Sequence, residues 1–290
     1  MTRSKSRLLN LTLAAAAIAG FAASAWAQDV DALRKKYTLN VPDIANNPAT
    51  QGEFFRGAPG TNSGSPSAFG PNWGDAFVGG GYQNQTRGIK QRDGSFSTNG
   101  GDDGSISAGF GVGNSTDAVG LEVVVTSLST FHSGFGNRTA FSFQVNRMVG
   151  NTSAIAVGVE NGFIAGGGKT DGTDSWYAVG STVFSLTPVS DMKLVQAITL
   201  SGGVGNGRFR LIDDAMNNKS TVNVFATASV LIHEQVSAIV DYTGQDINVG
   251  VSVVPFRWFP LVVTPTFADV AGMAARSPRF ILGVGIGMHF

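Results

Sequence analysis

Cysteine is absent from all 290 residues. That removes disulfides, thiol catalysis and Cys-based metal sites. Histidine is nearly absent: His132, His233 and His289 are dispersed and make no metal cluster, so neither a metal nor any other cofactor is expected. Charge is sparse at 14% and balanced, 20 basic against 20 acidic residues. The chain therefore carries no basic footprint for nucleic acid and no acidic tail. Long apolar runs are missing after the first, Leu8 to Ala23, so no transmembrane helix is expected beyond it. What is abundant is glycine, 39 residues, within a chain that is 42% hydrophobic and periodic. That combination excludes disorder and suits many strands with one small-residue face.

Residues 1–27 have the form of a cleaved secretory signal peptide. Arg3, Lys5 and Arg7 precede the apolar run, and Ala25-Trp26-Ala27 supplies the cleavage site. No Cys follows it, which excludes a lipid-anchored lipoprotein. None of the acidic residues lies in this segment, so the mature chain is slightly acidic.

Residues 28–73 form a separate region. Asp29 to Tyr37 allows two turns of helix, and from Pro42 onward the composition is that of a linker rich in Asn, Gly, Pro and Ser. Two roles stay open, a flexible periplasmic segment and a plug.

Residues 74–290 carry strand periodicity and no convincing helical one. Twelve strand-length segments are expected, at about 76–86, 104–113, 118–128, 139–148, 153–163, 174–186, 194–206, 221–231, 235–243, 246–254, 260–267 and 279–290. Their connections alternate in length. Asn114–Asp117, Val149–Thr152, Thr187–Lys193, Ile232–Glu234 and Pro255–Phe259 are short. Between them, Arg87–Asp103, Ser129–Arg138, Ile164–Thr173, Gly207–Ser220 and Ala268–Pro278 are long, and only Gly244-Gln245 breaks the rule. Short turns on one side and long loops on the other are the layout of a transmembrane antiparallel up-and-down β-barrel. A soluble β-sandwich gives no reason for that alternation.

The faces agree. Leu121, Val123 and Val125 alternate with Glu122, Val124 and Thr126; Phe141, Phe143 and Val145 alternate with Ser142, Gln144 and Asn146. A charge facing hydrocarbon costs about 2–4 kcal/mol near the midplane. Parity accordingly places Glu122, Gln144, Asn146, Glu160, Asp241, Asp246 and Asn248 toward the lumen, and Arg208 and Arg210 at its mouth. The facing of Ser175–Ser185 is ambiguous. Trp73, Phe77, Phe110, Phe163, Trp176, Tyr242, Trp258, Phe259, Phe267 and Phe290 stand near strand ends, as interfacial belts require.

The last segment is the most regular. Phe280, Leu282, Val284, Ile286, Met288 and Phe290 alternate with Ile281, Gly283, Gly285, Gly287 and His289. An amphipathic final strand closing on Phe resembles the C-terminal signature of bacterial outer-membrane β-barrels. Gly285, Met288 and Phe290 match it, and Gly283 stands where a polar residue is usual. The resemblance implies the bacterial outer membrane as location, with membrane lipid and the barrel-assembly machinery as partners.

Catalytic motifs are weak. Gly166–Thr170 ends like a phosphate-binding loop, but Phe163 occupies a position that needs glycine. His132, beside Ser129 and Ser133, offers a Ser–His pair with no other support, so no enzyme is expected. A lumen with inward carboxylates favours cations or neutral solutes, which makes a porin-like passive channel the leading expectation. The alternative is a closed barrel in which the carboxylates pair with an Arg or with the N-terminal segment. A further set of motifs resembles exopolysaccharide-associated barrels of the YjbH type: Ala156–Asn161, Leu200–Arg208 with its glycines, and Val240–Gly250. It implies a link to envelope polysaccharide, although Asp241-Tyr242-Thr-Gly-Gln-Asp246 departs from that family's hairpin.

Overall fold

The computed structural model describes residues 58–86, 100–166, 174–186, 195–274 and 277–290. The signal peptide, the helical turns expected at Asp29–Tyr37 and most of the Gly166–Thr170 stretch lie outside the described residues.

Twelve antiparallel strands close into one barrel, each paired with its neighbours in sequence. They are β1 (Asp75–Gln83), β2 (Asp103–Gly113), β3 (Gly120–Ser127), β4 (Arg138–Val149), β5 (Ser153–Gly166), β6 (Ser175–Ser185), β7 (Ala197–Gly205), β8 (Asn223–His233), β9 (Val236–Tyr242), β10 (Ile247–Val253), β11 (Leu261–Ala268) and β12 (Arg279–His289). Closure satisfies every sheet edge, which a sheet bathed in hydrocarbon requires. The seam pairs Asp75 with His289 and Gly79 with Gly285, and His289 Nδ1 lies 2.8 Å from Asp75 Oδ1. No helix among the described residues is long and apolar enough to cross a membrane. Short helices at Thr130–Ser133 and Ile212–Met216 lie in connections.

The connections alternate less regularly than expected, because one on the short side is as long as several on the long side. Because β7 starts at Ala197, the β6–β7 connection covers 186–196 and is longer than expected. Pro265 lies inside β11 and has no N–H to donate; pairing of β11 with β10 skips from Thr266 to Val263 around it. On β5, the register with β4 shifts between Phe141 and Phe143. Asn161 takes a left-handed conformation in this bulge, and its N–H donates to Ser142 Oγ at 3.0 Å. The bulge follows directly on Glu160 and helps aim it.

The outer surface is apolar. Val145, Ile155, Val157, Val240, Val249 and Val284 are exposed along the strand centres. In water such a continuous surface would be unstable; against acyl chains it is the favourable arrangement. Aromatic residues ring both ends: Trp258 and Phe290, 75% and 79% exposed, at one, with Phe163, Trp176 and Phe267 at the other. Phe77 is a correction to the expected belt. It pairs in register with Gly109 and Gly287, and a Cβ at Gly109 would lie 2.4 Å from its ring. Its side chain therefore points inward. The ambiguous strand β6 buries Ser175, Val179 and Ser181 and exposes Trp176 and Ala178. Both of its faces are apolar in part, which is why alternation alone leaves it undecided.

Candidate functional site

The inside of the barrel has an occupied side and an open side. Residues 58–73, just upstream of β1, supply the occupant. The N–H of Gly60 donates to Ser252 Oγ at 2.7 Å, near the turn end of β10. The chain then rises to Asp241 at the loop end of β9. There the Ser65 N–H donates to Oδ2 at 2.8 Å and the Ser63 N–H at 3.2 Å, while Ser65 Oγ donates to Oδ1. From this apex the chain descends. Ala68 N–H donates to Ser181 Oγ at 2.8 Å, and Asn72 Oδ1 accepts from Ser115 N–H at 2.7 Å in the β2–β3 turn. Residues 58–73 thus form a re-entrant loop inside the lumen.

The strand register builds the surface that holds it. Ser181, Ser201, Thr227, Asp241 and Asn248 are successive cross-strand partners from β6 to β10. Cross-strand partners share a face, so one row of small polar side chains crosses five strands. Ser181 Oγ lies 2.7 Å from Ser201 Oγ, and Thr227 Oγ1 donates to Asp241 Oδ1 at 3.0 Å. The loop fits because its residues are small. A Cβ at Gly64 would lie 3.1 Å from both Asn248 and Thr243. Conversely, Gly111 of β2 lets the loop backbone approach, since a Cβ there would lie 2.3 Å from the Asn72 carbonyl oxygen.

An aromatic cluster adds to this side. Phe209 and Phe225 stack at 4.5 Å, and Tyr177 meets Phe209 edge-on at 6.0 Å. Ala154, Ala156 and Val179 of the wall and Ala68 of the loop complete the cluster, with Phe69 packed against it. Gly203 is required beneath it, because a Cβ would lie 2.3 Å from the Phe225 ring. Phe225 shares the inward face of β8 with Thr227 and Ser229. Its parity was the available signal, but an aromatic among polar inward residues gives no hint of what it packs on.

The polar residues picked out by parity are placed as follows. Glu160 pairs with Arg208, whose Nη2 is 2.7 Å from Oε1. The same Nη2 donates to the Gly64 carbonyl at 2.7 Å, and the guanidinium carbon sits 4.4 Å over the Phe209 ring. Arg208, expected at a mouth, thus turns into the lumen and ties strand to loop. Arg210 stays in the β7–β8 connection, donating to the carbonyls of Gly207 at 2.8 Å and Lys219 at 2.9 Å. Asp246 lies 3.5 Å from Arg279 Nη2, both buried. Asn248 Oδ1 accepts from Asp269 N–H at 3.1 Å. Asn146, with its amide oriented to satisfy both partners, donates to the Gly120 carbonyl at 2.9 Å and accepts from Gly70 N–H at 3.1 Å. Gln144 Oε1 accepts from Tyr177 OH at 2.7 Å, and its buried Nε2 has no partner among the described residues. At the closing strand, Gly285 faces the lumen while Met288 and Phe290 face outward. His132 belongs to the short helix Thr130–Ser133 and its side chain lies outside the described residues. No group of metal ligands occurs among the described residues.

Opposite the loop is the open side, a cavity of about 720 Å³. Its near wall is the loop, from Asn62 to Phe69. Its far wall includes Gly79, Gly283 and Gly285, with Ser107, Glu122 and Gln144 beside them. A Cβ at Gly285 would meet nothing closer than 3.6 Å, and at Gly287 nothing closer than 4.0 Å. These glycines leave space unfilled, unlike Gly111 and Gly203.

A closed antiparallel barrel with an apolar belt, aromatic girdles and a polar interior defines the class: a transmembrane β-barrel of the bacterial outer membrane. No protein-family profile matches the chain, and no curated protein matches significantly. Similar solved structures include an outer membrane channel from Pseudomonas putida F1, at TM-score 0.43 and 11% identity, covering 80% of this chain and 100% of that one. The outer membrane protein Omp33 of Acinetobacter baumannii gives TM-score 0.38 and 8% identity, over 74% and 98% of the two chains. The outer membrane channel DcaP of the same organism gives 0.33 and 11%, over 74% and 96%. At these values no function passes from them to this chain.

Proposed function

We propose that this protein is a porin-like channel of the outer membrane that passes small neutral or cationic solutes. The conduit lies along the glycine side of the lumen, and residues 58–73 set its bore. The observation that carries this reading is the cavity of about 720 Å³ between the loop and the wall containing Gly79, Gly283 and Gly285. Water and solutes need such space, and a barrel built only for stability would fill it with side chains. Selectivity against anions follows from the charges. Glu160 and Asp246 are neutralised by Arg208 and Arg279, Asp241 is shielded by donors of the loop, and Glu122, which lines the cavity, makes no ion pair among the described residues.

A second reading, a non-transport envelope barrel such as an exopolysaccharide-associated one, is favoured by the occupied side. A lumen tied to its own chain at Ser252, Asp241, Ser181 and Asn146 resembles a packed core. Planar-bilayer recording separates the two. The channel reading expects cation-preferring conductance from the refolded protein, and larger steps from a chain lacking residues 28–72. Silence from both chains overturns it in favour of the closed barrel.

A further inference from the structure

We propose that the cavity contains a subsite for a polyhydroxylated neutral solute, a sugar or polyol, centred on Glu122 and Gln144. This rests on the channel reading for access to the cavity and goes beyond it by naming the solute class.

Glu122 and Gln144 are direct cross-strand partners on β3 and β4. Both side chains point to the lumen and line the cavity. Tyr177 OH holds Gln144 Oε1 at 2.7 Å, which fixes the amide and leaves Nε2 as a buried donor with no partner among the described residues. Gln144 is itself only 5% exposed. Glu122 presents a carboxylate that makes no hydrogen bond or ion pair among the described residues. The pair therefore offers one open acceptor and, from the adjacent position, one unpartnered donor buried at the cavity wall. A buried polar group left in that condition is costly, and the natural remedy is a ligand that supplies the complement.

A hydroxyl group is that complement, because one oxygen donates to a carboxylate and accepts from an amide N–H. Neighbouring hydroxyls on one ring repeat the function at the same spacing. The remaining lining supports a neutral polyol over a cation. Ser107 Oγ and Thr126 Oγ1 lie 2.9 Å apart across β2 and β3, and Ser63 and Ser67 are part of the lining on the loop side. Glu160 already has Arg208 as counter-charge, and most of the polar side chains in the lining bear hydroxyls. Tyr177 and Phe69 give aromatic surface for the apolar face of a sugar ring. The cavity also has the size of a small-molecule site, within the roughly 300–1,000 Å³ typical of such pockets.

The test is equilibrium binding to the refolded full chain in detergent, by saturation-transfer NMR and calorimetry, with glucose, maltose, glucosamine and potassium ion as probes. The subsite expects glucose or maltose to bind, and Glu122→Ala and Gln144→Ala each to weaken binding by about tenfold or more, the loss of one hydrogen bond involving a charged or buried group. Glu122→Gln, which keeps an acceptor, should retain more affinity than Glu122→Ala. Heat-modifiable migration on gels confirms that each variant is folded; if an alanine variant does not fold, the comparison of wild type with Glu122→Gln decides. The proposal is overturned if neither sugar binds, if the substitutions leave binding unchanged, or if glucosamine or potassium binds more than tenfold tighter than glucose, which would mark a cation site. Binding needs no conductance. Bound sugar without conductance refutes the channel alone, and conductance without bound sugar refutes the subsite alone.

Discussion

Asp241 is the residue on which the apex of the lumen loop depends. It is fully buried, and its two oxygens accept from Ser63 N–H, Ser65 N–H, Ser65 Oγ and Thr227 Oγ1. Replacing it by alanine removes every acceptor at once. The hydroxyls of Ser65 and Thr227 can rotate to other partners, but the two backbone N–H groups cannot. Each buried donor left unsatisfied costs about 1–3 kcal/mol, so Asp241→Ala should weaken the apex by about 2–6 kcal/mol. At ~1.4 kcal/mol per decade, the released population rises at least about thirtyfold. Asp241→Asn should do less. Its amide oxygen can face the two N–H groups and its nitrogen the two hydroxyls, so only the charge-assisted part is lost, about 1–2 kcal/mol. The chain has no cysteine, so Thr61→Cys gives a unique label site near the apex. The assay is the rate of modification by a membrane-impermeant maleimide, alongside conductance of the same protein in planar bilayers. Both should rise in the order wild type, Asp241→Asn, Asp241→Ala. If labelling and conductance are the same in all three, the loop is not held by Asp241 and the account of the occupied side fails.

Three further outcomes follow from the geometry. Gly285→Phe places a ring in open lumen, since a Cβ there meets nothing closer than 3.6 Å; insertion should be normal and single-channel conductance reduced. Phe225→Ala empties the stack with Phe209 and should cost about 3–5 kcal/mol, read as a lower urea midpoint for unfolding from lipid vesicles. Deleting Phe290 removes the terminal aromatic of an outward-facing strand end. It should reduce the yield of inserted barrel in cells without changing the conductance of the protein that does insert.

Strand number and facing were legible because alternation in a barrel is enforced twice, by lipid outside and by polar groups inside. Phe141 to Asn146 and Leu282 to His289 show the period without interruption. Legibility failed where that constraint relaxed. Phe77 sits near a strand end, as belt aromatics do, yet the glycine at 109 gives its ring room inside. Residues 58–73 have linker composition because a chain squeezed against Asp241, Asn248 and Asn146 must be small and rich in backbone donors. Small polar composition is shared by solvated linkers and by loops threaded through narrow spaces, and it has no period to tell them apart. The Glu160–Arg208 and Asp246–Arg279 pairs were hidden for another reason. Each joins residues far apart in the chain, 48 and 33 positions, and the lateral pairing of the strands between them brings them together.

The seam has a consequence for how the molecule is made. Asp75 meets His289 across 214 positions of sequence, so the first strand cannot be paired on both sides until the last one exists. Loop closure over that distance is slow. For all that time two unpaired strand edges persist, each a template for aggregation. The loop immediately upstream of β1 must also find its place within the cylinder. Assembly is thus a race between misassociation and the pairing of β12 with β1.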